Sequence, residues 1–252
     1  MIAAGAALTL WCAPAFADPY AVNVTISNDE GTYSHDYLFT DSMFTPGPGG
    51  VINANQSTIL AGDTNAKYSL DYLYNPTGHH LGINFTVEGL TEDSMTFSDT
   101  TVHITANSPT FSVIPSPDLR VSGSMIASNL FGGETLGEVA TGLIPTGNMF
   151  QASFGNTNPT DHVFASIFEE SDFDSPFPGS FHATRDTGFL PAGFSLGAMQ
   201  SQWYFTLTSG SGANGTTEFD PVPVPEPSSL GLLALGSVAI MGLGNRWRKA
   251  RA

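Results

Sequence analysis

The chain has 252 residues, of which only 12 % are charged, and a formal net charge of −16 at pH 7. That length accommodates one domain with a sizeable core, or two small ones. A strongly anionic chain repels nucleic acid, so the charge argues against DNA or RNA as a partner. The single cysteine, Cys12, excludes a disulfide framework.

The first segment, residues 1–17, is an apolar run that ends in Ala15-Phe16-Ala17. Small residues at Ala15 and Ala17 form the pattern that signal peptidase cleaves. We therefore expect a signal peptide over residues 1–17 and a mature chain that begins near Asp18.

Residues 18–208 are dominated by alternation of apolar and polar side chains. Val22, Val24 and Ile26 share one face of a segment, and the polar residues between them share the other. This period of two is typical of half-buried strands. Frequent Gly, Pro and Asn turns separate such segments, so the sequence predicts a mainly β ectodomain, an antiparallel β-sandwich or jelly roll.

One segment departs from the alternation. Residues 162–168 are apolar on both faces, because Phe164 and Phe168 interrupt the pattern of Val163, Ala165 and Ile167. Such a segment predicts a central strand that is covered on both faces.

Residues 209–224 are rich in Gly, Ser, Asn, Thr and Pro. This composition is typical of a flexible or extended linker. We therefore expect the ectodomain to end near Thr208 and this linker to tether it to the C-terminal segment.

The C-terminal segment, residues 225–252, has three parts. Pro225, Glu226 and Pro227 are followed by an apolar run over residues 230–244, and then by a basic cluster of Arg246, Arg248, Lys249 and Arg251. As a helix the run rises about 22 Å, and the flanking serines and Asn245 extend it to the lower limit for a span. The basic residues would stay cytoplasmic, so we expect one transmembrane helix with the ectodomain outside.

This order of signals resembles the PEP-CTERM sorting tail. The resemblance covers residues 224–252 and implies recognition by exosortase, an integral-membrane cysteine transpeptidase of Gram-negative bacteria that make exopolysaccharide. It implies that Pro225, Glu226 and Pro227 are recognition residues and that the basic cluster stops transfer. Proteins with such tails are destined for the cell surface or a biofilm matrix, and their bodies differ widely.

Acidic residues cluster in one stretch of the body, and carboxylates close together on a loop suit Ca²⁺. The candidate ligands are Glu169, Glu170, Asp172 and Asp174. The spacing is not that of an EF-hand, and a solvated acidic loop is the alternative.

The sequence contains no catalytic motif and requires no cofactor. It therefore favours a non-enzymatic envelope or biofilm component that binds polysaccharide or Ca²⁺. The alternative is an extracellular carbohydrate-active hydrolase or lyase on a jelly-roll scaffold. The expected partners are signal peptidase and exosortase during export, exopolysaccharide afterwards, and the membrane through the C-terminal helix.

Overall fold

The computed structural model describes residues 20–39, 41–64, 66–89, 99–129, 140–173 and 179–224. Within these ranges the chain forms fifteen strands and three short 3-10 turns. The strands are β1 (Tyr20–Asn28), β2 (Gly31–Leu38), β3 (Thr45–Pro46), β4 (Ile52–Leu60), β5 (Ala66–Asn75), β6 (His80–Gly89), β7 (Thr100–Asn107), β8 (Asp118–Asn129), β9 (Ala140–Gly142), β10 (Asn148–Gly155), β11 (His162–Glu169), β12 (Ser180–Asp186), β13 (Leu190–Pro191), β14 (Ala198–Leu207) and β15 (Ser211–Val222).

The strands form two sheets in which every pairing among the described residues is antiparallel. The first sheet has the order β11-β10-β14-β7-β1-β2, with β9 also on β14. The second has the order β12-β8-β15-β6-β5-β4-β3, with β13 also on β8. The prediction of a mainly antiparallel β fold is confirmed.

Alternation along the strands places one face of each sheet in a shared core. Val22, Val24 and Ile26 of β1 are fully buried, as their spacing predicts. At the centre of the core the ring of Trp203 from the first sheet lies 5.0 Å from the ring of Phe85 from the second. The two sheets therefore pack face to face through large aromatic side chains.

Tyrosine hydroxyls join the two sheets near β2 and β5. The Tyr68 hydroxyl lies 2.6 Å from that of Tyr37 and 3.1 Å from that of Tyr33. Burial, together with hydrogen bonds to these two neighbours, raises the pKa of Tyr68 well above its usual range. The Tyr68 hydroxyl therefore stays neutral, and its hydrogen bonds to Tyr33 and Tyr37 link the two sheets.

The prediction of a linker over residues 209–224 is wrong for most of its length. Ser211–Val222 is β15, which lies inside the second sheet between β8 and β6. Close packing requires a small residue in this strand, because a Cβ at Gly215 would lie 2.4 Å from the Phe85 ring. A strand that faces large aromatic rings needs small side chains, and this composition is also that of a linker.

The prediction of a central, doubly covered strand at residues 162–168 is also wrong. These residues lie in β11, an edge strand of the first sheet, and Val163 is 58 % exposed. Phe164 points inward and stacks on Phe219 of the second sheet at 6.0 Å. Of the other apolar set, Val163 is thus open to solvent, whereas Ala165 and Ile167 are partly buried against the core.

The predicted signal peptide, residues 1–17, and the sorting tail, residues 225–252, lie outside the described residues. Within the ranges that are described, no helix is long and apolar enough to cross a membrane.

Candidate functional site

The outward face of the second sheet carries polar side chains in register across six strands. Cross-strand pairing aligns one row of them, Asn55, Asp71, Asn84, Thr216, Ser124 and Thr184. The Asp71 carboxylate accepts hydrogen bonds from the Asn55 and Asn84 side chains. Such rows supply hydroxyl, amide and carboxylate groups on a surface with few charges.

A shallow depression, here called the β8 trough, crosses this face. Its floor is Ser122 and Ser124 of β8. Ser122 lies between its longer cross-strand neighbours Asp186 and Glu218, and Ser124 lies between Thr184 and Thr216. The trough has a volume of about 360 Å³ and is lined by Arg120, Ser122, Gly123, Ser124, Thr184, Arg185, Asp186, Thr216 and Glu218. Short side chains between two rows of longer ones produce the concavity.

Two ion pairs fix the charged groups at the trough. Arg120 donates from Nε and Nη2 to the two oxygens of Asp186 at 3.0 and 2.7 Å. The guanidinium of Arg185 pairs with Asp172. The Arg120 hydrogen bonds, with one from the Gly188 amide, hold the pKa of Asp186 at about 2.

This arrangement favours hydrogen bonding over proton transfer. A glycosidase needs a carboxylic acid whose raised pKa lets it donate a proton. Asp186 has a lowered pKa instead, so it is held as a carboxylate that accepts hydrogen bonds. Hydroxyls, carboxylates and paired guanidinium groups in an open trough suit a ligand that is rich in hydroxyl groups.

The predicted calcium ligands are only partly within the described residues. Asp174 lies outside them, and for Glu170 only the backbone is described. Asp172 accepts a hydrogen bond from the Glu169 amide at 3.1 Å besides pairing with Arg185. Across the described ranges no three His, Cys, Asp or Glu side chains are grouped closely enough to hold a metal ion. The calcium site stays a prediction.

A second depression, of about 460 Å³, lies beside the edge strand β11. Its lining residues include Asp161, His162, Val163, Leu190 and Phe194. The His162 and Phe194 rings stack with their centroids 4.0 Å apart. Apolar side chains and the polar groups of Asp161 and His162 both line this depression, which is open to solvent.

An ion pair ties β15 to its neighbour near the point where the chain leaves the sheet. Nδ1 of His80 on β6 contacts the carboxylate of Asp220 on β15. The hydrogen bond to Asp220 raises the pKa of His80, against the opposing effect of burial. Because the folded-state pKa is raised, the stabilisation is complete below His80's ordinary pKa of 6.5 and is lost as the pH rises through the folded-state value.

We therefore expect Asp220→Asn to destabilise the protein mainly at acidic pH. At pH 5.5 the loss in the free energy of unfolding should be on the order of 1.5 kcal/mol. At pH 9, where His80 is neutral in both states, the difference should shrink. Urea unfolding at both pH values measures it, with Asp29→Asn in an exposed turn as the control. An equal loss at both pH values would contradict the linkage.

The sequence did not identify the trough. Alternation predicts that Arg120 points away from Leu119 and Val121, and the structure agrees, since both neighbours are buried. The pairing of β8 with β12 and β15 is not encoded in any local pattern, so Asp186 and Glu218 could not be placed beside Ser122.

Comparisons with known proteins identify a motif at the C-terminus. The model of the PEP-CTERM protein-sorting motif matches residues 223–249. No curated protein matches the chain.

Two solved structures have limited similarity to the chain. The adhesin domain of Epf from Streptococcus pyogenes has 11 % identity and a TM-score of 0.32, over 81 % of this chain and 60 % of that one. The VP2 subviral particle of infectious bursal disease virus has 8 % identity and a TM-score of 0.27, over 83 % of this chain and 58 % of that one. The chain thus spans about three-fifths of each of those chains.

The predicted PEP-CTERM motif is confirmed by the match over residues 223–249, a range that includes Pro225, Glu226 and Pro227. The individual roles of these residues and of the basic cluster stay predictions. The chain carries a PEP-CTERM protein-sorting motif, the recognition tag of exosortase, and is an exported protein with a C-terminal sorting tail.

Proposed function

We propose that this protein is a non-enzymatic component of the Gram-negative cell surface or biofilm matrix, and that its β-sandwich body binds neutral polysaccharide. Signal peptidase removes residues 1–17, and residues 225–252 anchor the chain as a single transmembrane helix until exosortase processes it. The sorting motif supports the export route. The β8 trough is the observation that supports polysaccharide binding.

The shape and composition of the trough support an extended, uncharged ligand. The trough runs along β8 and is open, and a smaller depression continues over the same face beside Ile126, Ser128 and Asn214. Together they follow about eight residues of β8, a length of roughly 26 Å. A polymer chain can lie along such a surface and hydrogen-bond to serine, threonine and carboxylate groups.

The charges support a neutral polymer over an anionic one. Arg120 and Arg185, the basic residues of the trough, are both paired with aspartates. Glu218 adds a negative charge at the wall, and the whole chain has a net charge of −16. An anionic polysaccharide would be repelled by this field. Calcium binding at Glu169, Glu170, Asp172 and Asp174 remains a separate proposal.

Filling the trough tests the proposal. We expect the double variant Ser122→Ile, Ser124→Ile to weaken binding of a neutral glucan at least tenfold, because β-branched side chains raise the floor and remove two hydroxyls. Isoleucine is favoured in strands, so the fold should be retained. The matched control is Thr25→Ile, Ser27→Ile on the outward face of the first sheet.

Affinity electrophoresis of the full-length chain in gels with and without dextran measures this binding, and an anionic polyuronate gel measures the charge preference. The control variant should migrate like the wild type. Equal retardation of trough and control variants, or stronger retardation by the polyuronate than by dextran, would overturn the proposal.

A further inference from the structure

Large apolar side chains are exposed at one end of the body. Phe194 and Leu190 are 54 % and 49 % exposed, and Val163 on β11 is open to solvent beside them. The exposed set at this end is Val163, Phe189, Leu190, Phe194, Val222 and Val224, called here the apolar end. Other exposed apolar side chains are scattered over the body, whereas these six lie together, and a contiguous apolar patch marks a contact site.

Strand register shows that these residues share one end. Leu190 pairs with Leu119, which in turn pairs with Pro221, one residue before Val222. Leu190 also lines the depression of about 460 Å³ together with Val163 and Phe194. The patch therefore surrounds the point at which β15 ends.

The sorting tail leaves the body at this same point. β15 ends at Val222, and the sorting motif begins at residue 223. Only residues 223–229 separate the last strand residue from the apolar run that begins at Leu230. Seven residues span at most about 25 Å when fully extended.

That tether is too short for the body to stand on the bilayer by its opposite end, with the apolar end facing away. β15 has 12 residues, so the opposite end of the strand lies roughly 40 Å from the apolar end. Part of the tether also has to cross the polar headgroup layer, which is about 5–8 Å thick on each side. An inserted tail therefore keeps the apolar end within roughly 20 Å of the bilayer surface, about half the length of β15.

Charge indicates what kind of surface the end meets. Upstream of the tail the sequence has only Lys67, Arg120 and Arg185 as basic residues, and the depression beside the patch contains Asp161. Arg120 lies 5.7 Å from the centre of the Phe189 ring but is paired with Asp186. Attraction to anionic lipid is therefore weak, and the contact relies mainly on apolar side chains.

We infer that the apolar end lies on the outer surface of the bilayer that holds the tail, with the side chains of Phe189, Leu190 and Phe194 in its headgroup layer. The inference rests on the proposed anchoring of residues 225–252. It assigns a function to the exposed Val163 of β11 and orients the β8 trough along the membrane normal.

Site-specific labelling tests this orientation. The full-length chain, in a Cys12→Ser background, receives a single cysteine at Phe194→Cys or, in a second protein, at Val163→Cys. The control is Leu60→Cys, because Leu60 is also 54 % exposed but pairs with Lys67 at the opposite end of the second sheet. Each protein carries a thiol-linked fluorophore and is reconstituted into phosphatidylcholine vesicles.

Lipids with a headgroup nitroxide then quench fluorophores near the bilayer surface. We expect quenching at positions 163 and 194 to be at least threefold stronger than at position 60, and all three labels to be equally bright in detergent. Equal quenching at all positions in vesicles that carry the protein would overturn the orientation while the anchor stands. Protein that fails to float with the vesicles would overturn the anchor and the inference with it. Shielding at position 194 in lipid-free detergent would assign the patch to a second copy of the chain.

Discussion

A chain that ends after Thr208 should not fold, whereas a chain that ends after Val224 should unfold cooperatively on heating. The shorter chain lacks β15, which lies between β8 and β6 and pairs with β8 along its full length. Its loss leaves two long strand edges unpaired and removes Phe219, which is fully buried, from the core. The expected loss exceeds the roughly 5–15 kcal/mol by which a domain is stable.

Circular dichroism in the near ultraviolet and a thermal melt distinguish the two chains. The longer chain should show a fixed aromatic signal from Trp203 and its neighbours, together with a single sharp transition. The shorter chain should show neither. A cooperative melt of the chain that ends at Thr208, at the same temperature, would contradict the central place of β15.

Strands with regular alternation of polar and apolar side chains were predicted from the sequence. Strands whose residue types are set by contacts with other strands were missed. β1 and β14 were identifiable because each carries an unbroken alternation, and their inward residues, such as Val24 and Trp203, are buried. β15 was not identifiable from its sequence. Its Gly215 is needed because a larger side chain would collide with the ring of Phe85 on β6. Local composition cannot distinguish that requirement from the flexibility of a linker.

The same limit applies to the candidate sites. The sorting tail was predictable because its signals are consecutive in the sequence, so no folding information is needed to recognise them. The β8 trough joins Asp186, Ser122 and Glu218, which are far apart in sequence and meet only through the register of three strands. The two apolar faces of β11 likewise indicated burial, whereas Val163 of one face is exposed and forms part of the apolar end.

Deleting residues 225–252 should release the protein from the membrane. The deleted segment contains the apolar run and the basic cluster that are proposed to span the bilayer and stop transfer. The remaining body has a net negative charge and a few exposed apolar residues, which give at most a weak peripheral contact. The chain that ends at Val224 keeps every described strand, so loss of the anchor is separated from loss of the fold.

Cell fractionation in a host without exosortase tests this central claim most directly, because processing cannot then remove the tail. Membranes are washed with alkaline carbonate, which strips peripheral proteins, and both chains are detected by immunoblotting. The full-length chain should stay in the washed membranes, and the chain that ends at Val224 should be in the periplasmic fraction, folded and soluble. Retention of the shorter chain in the washed membranes, or release of the full-length chain from them, would contradict the account.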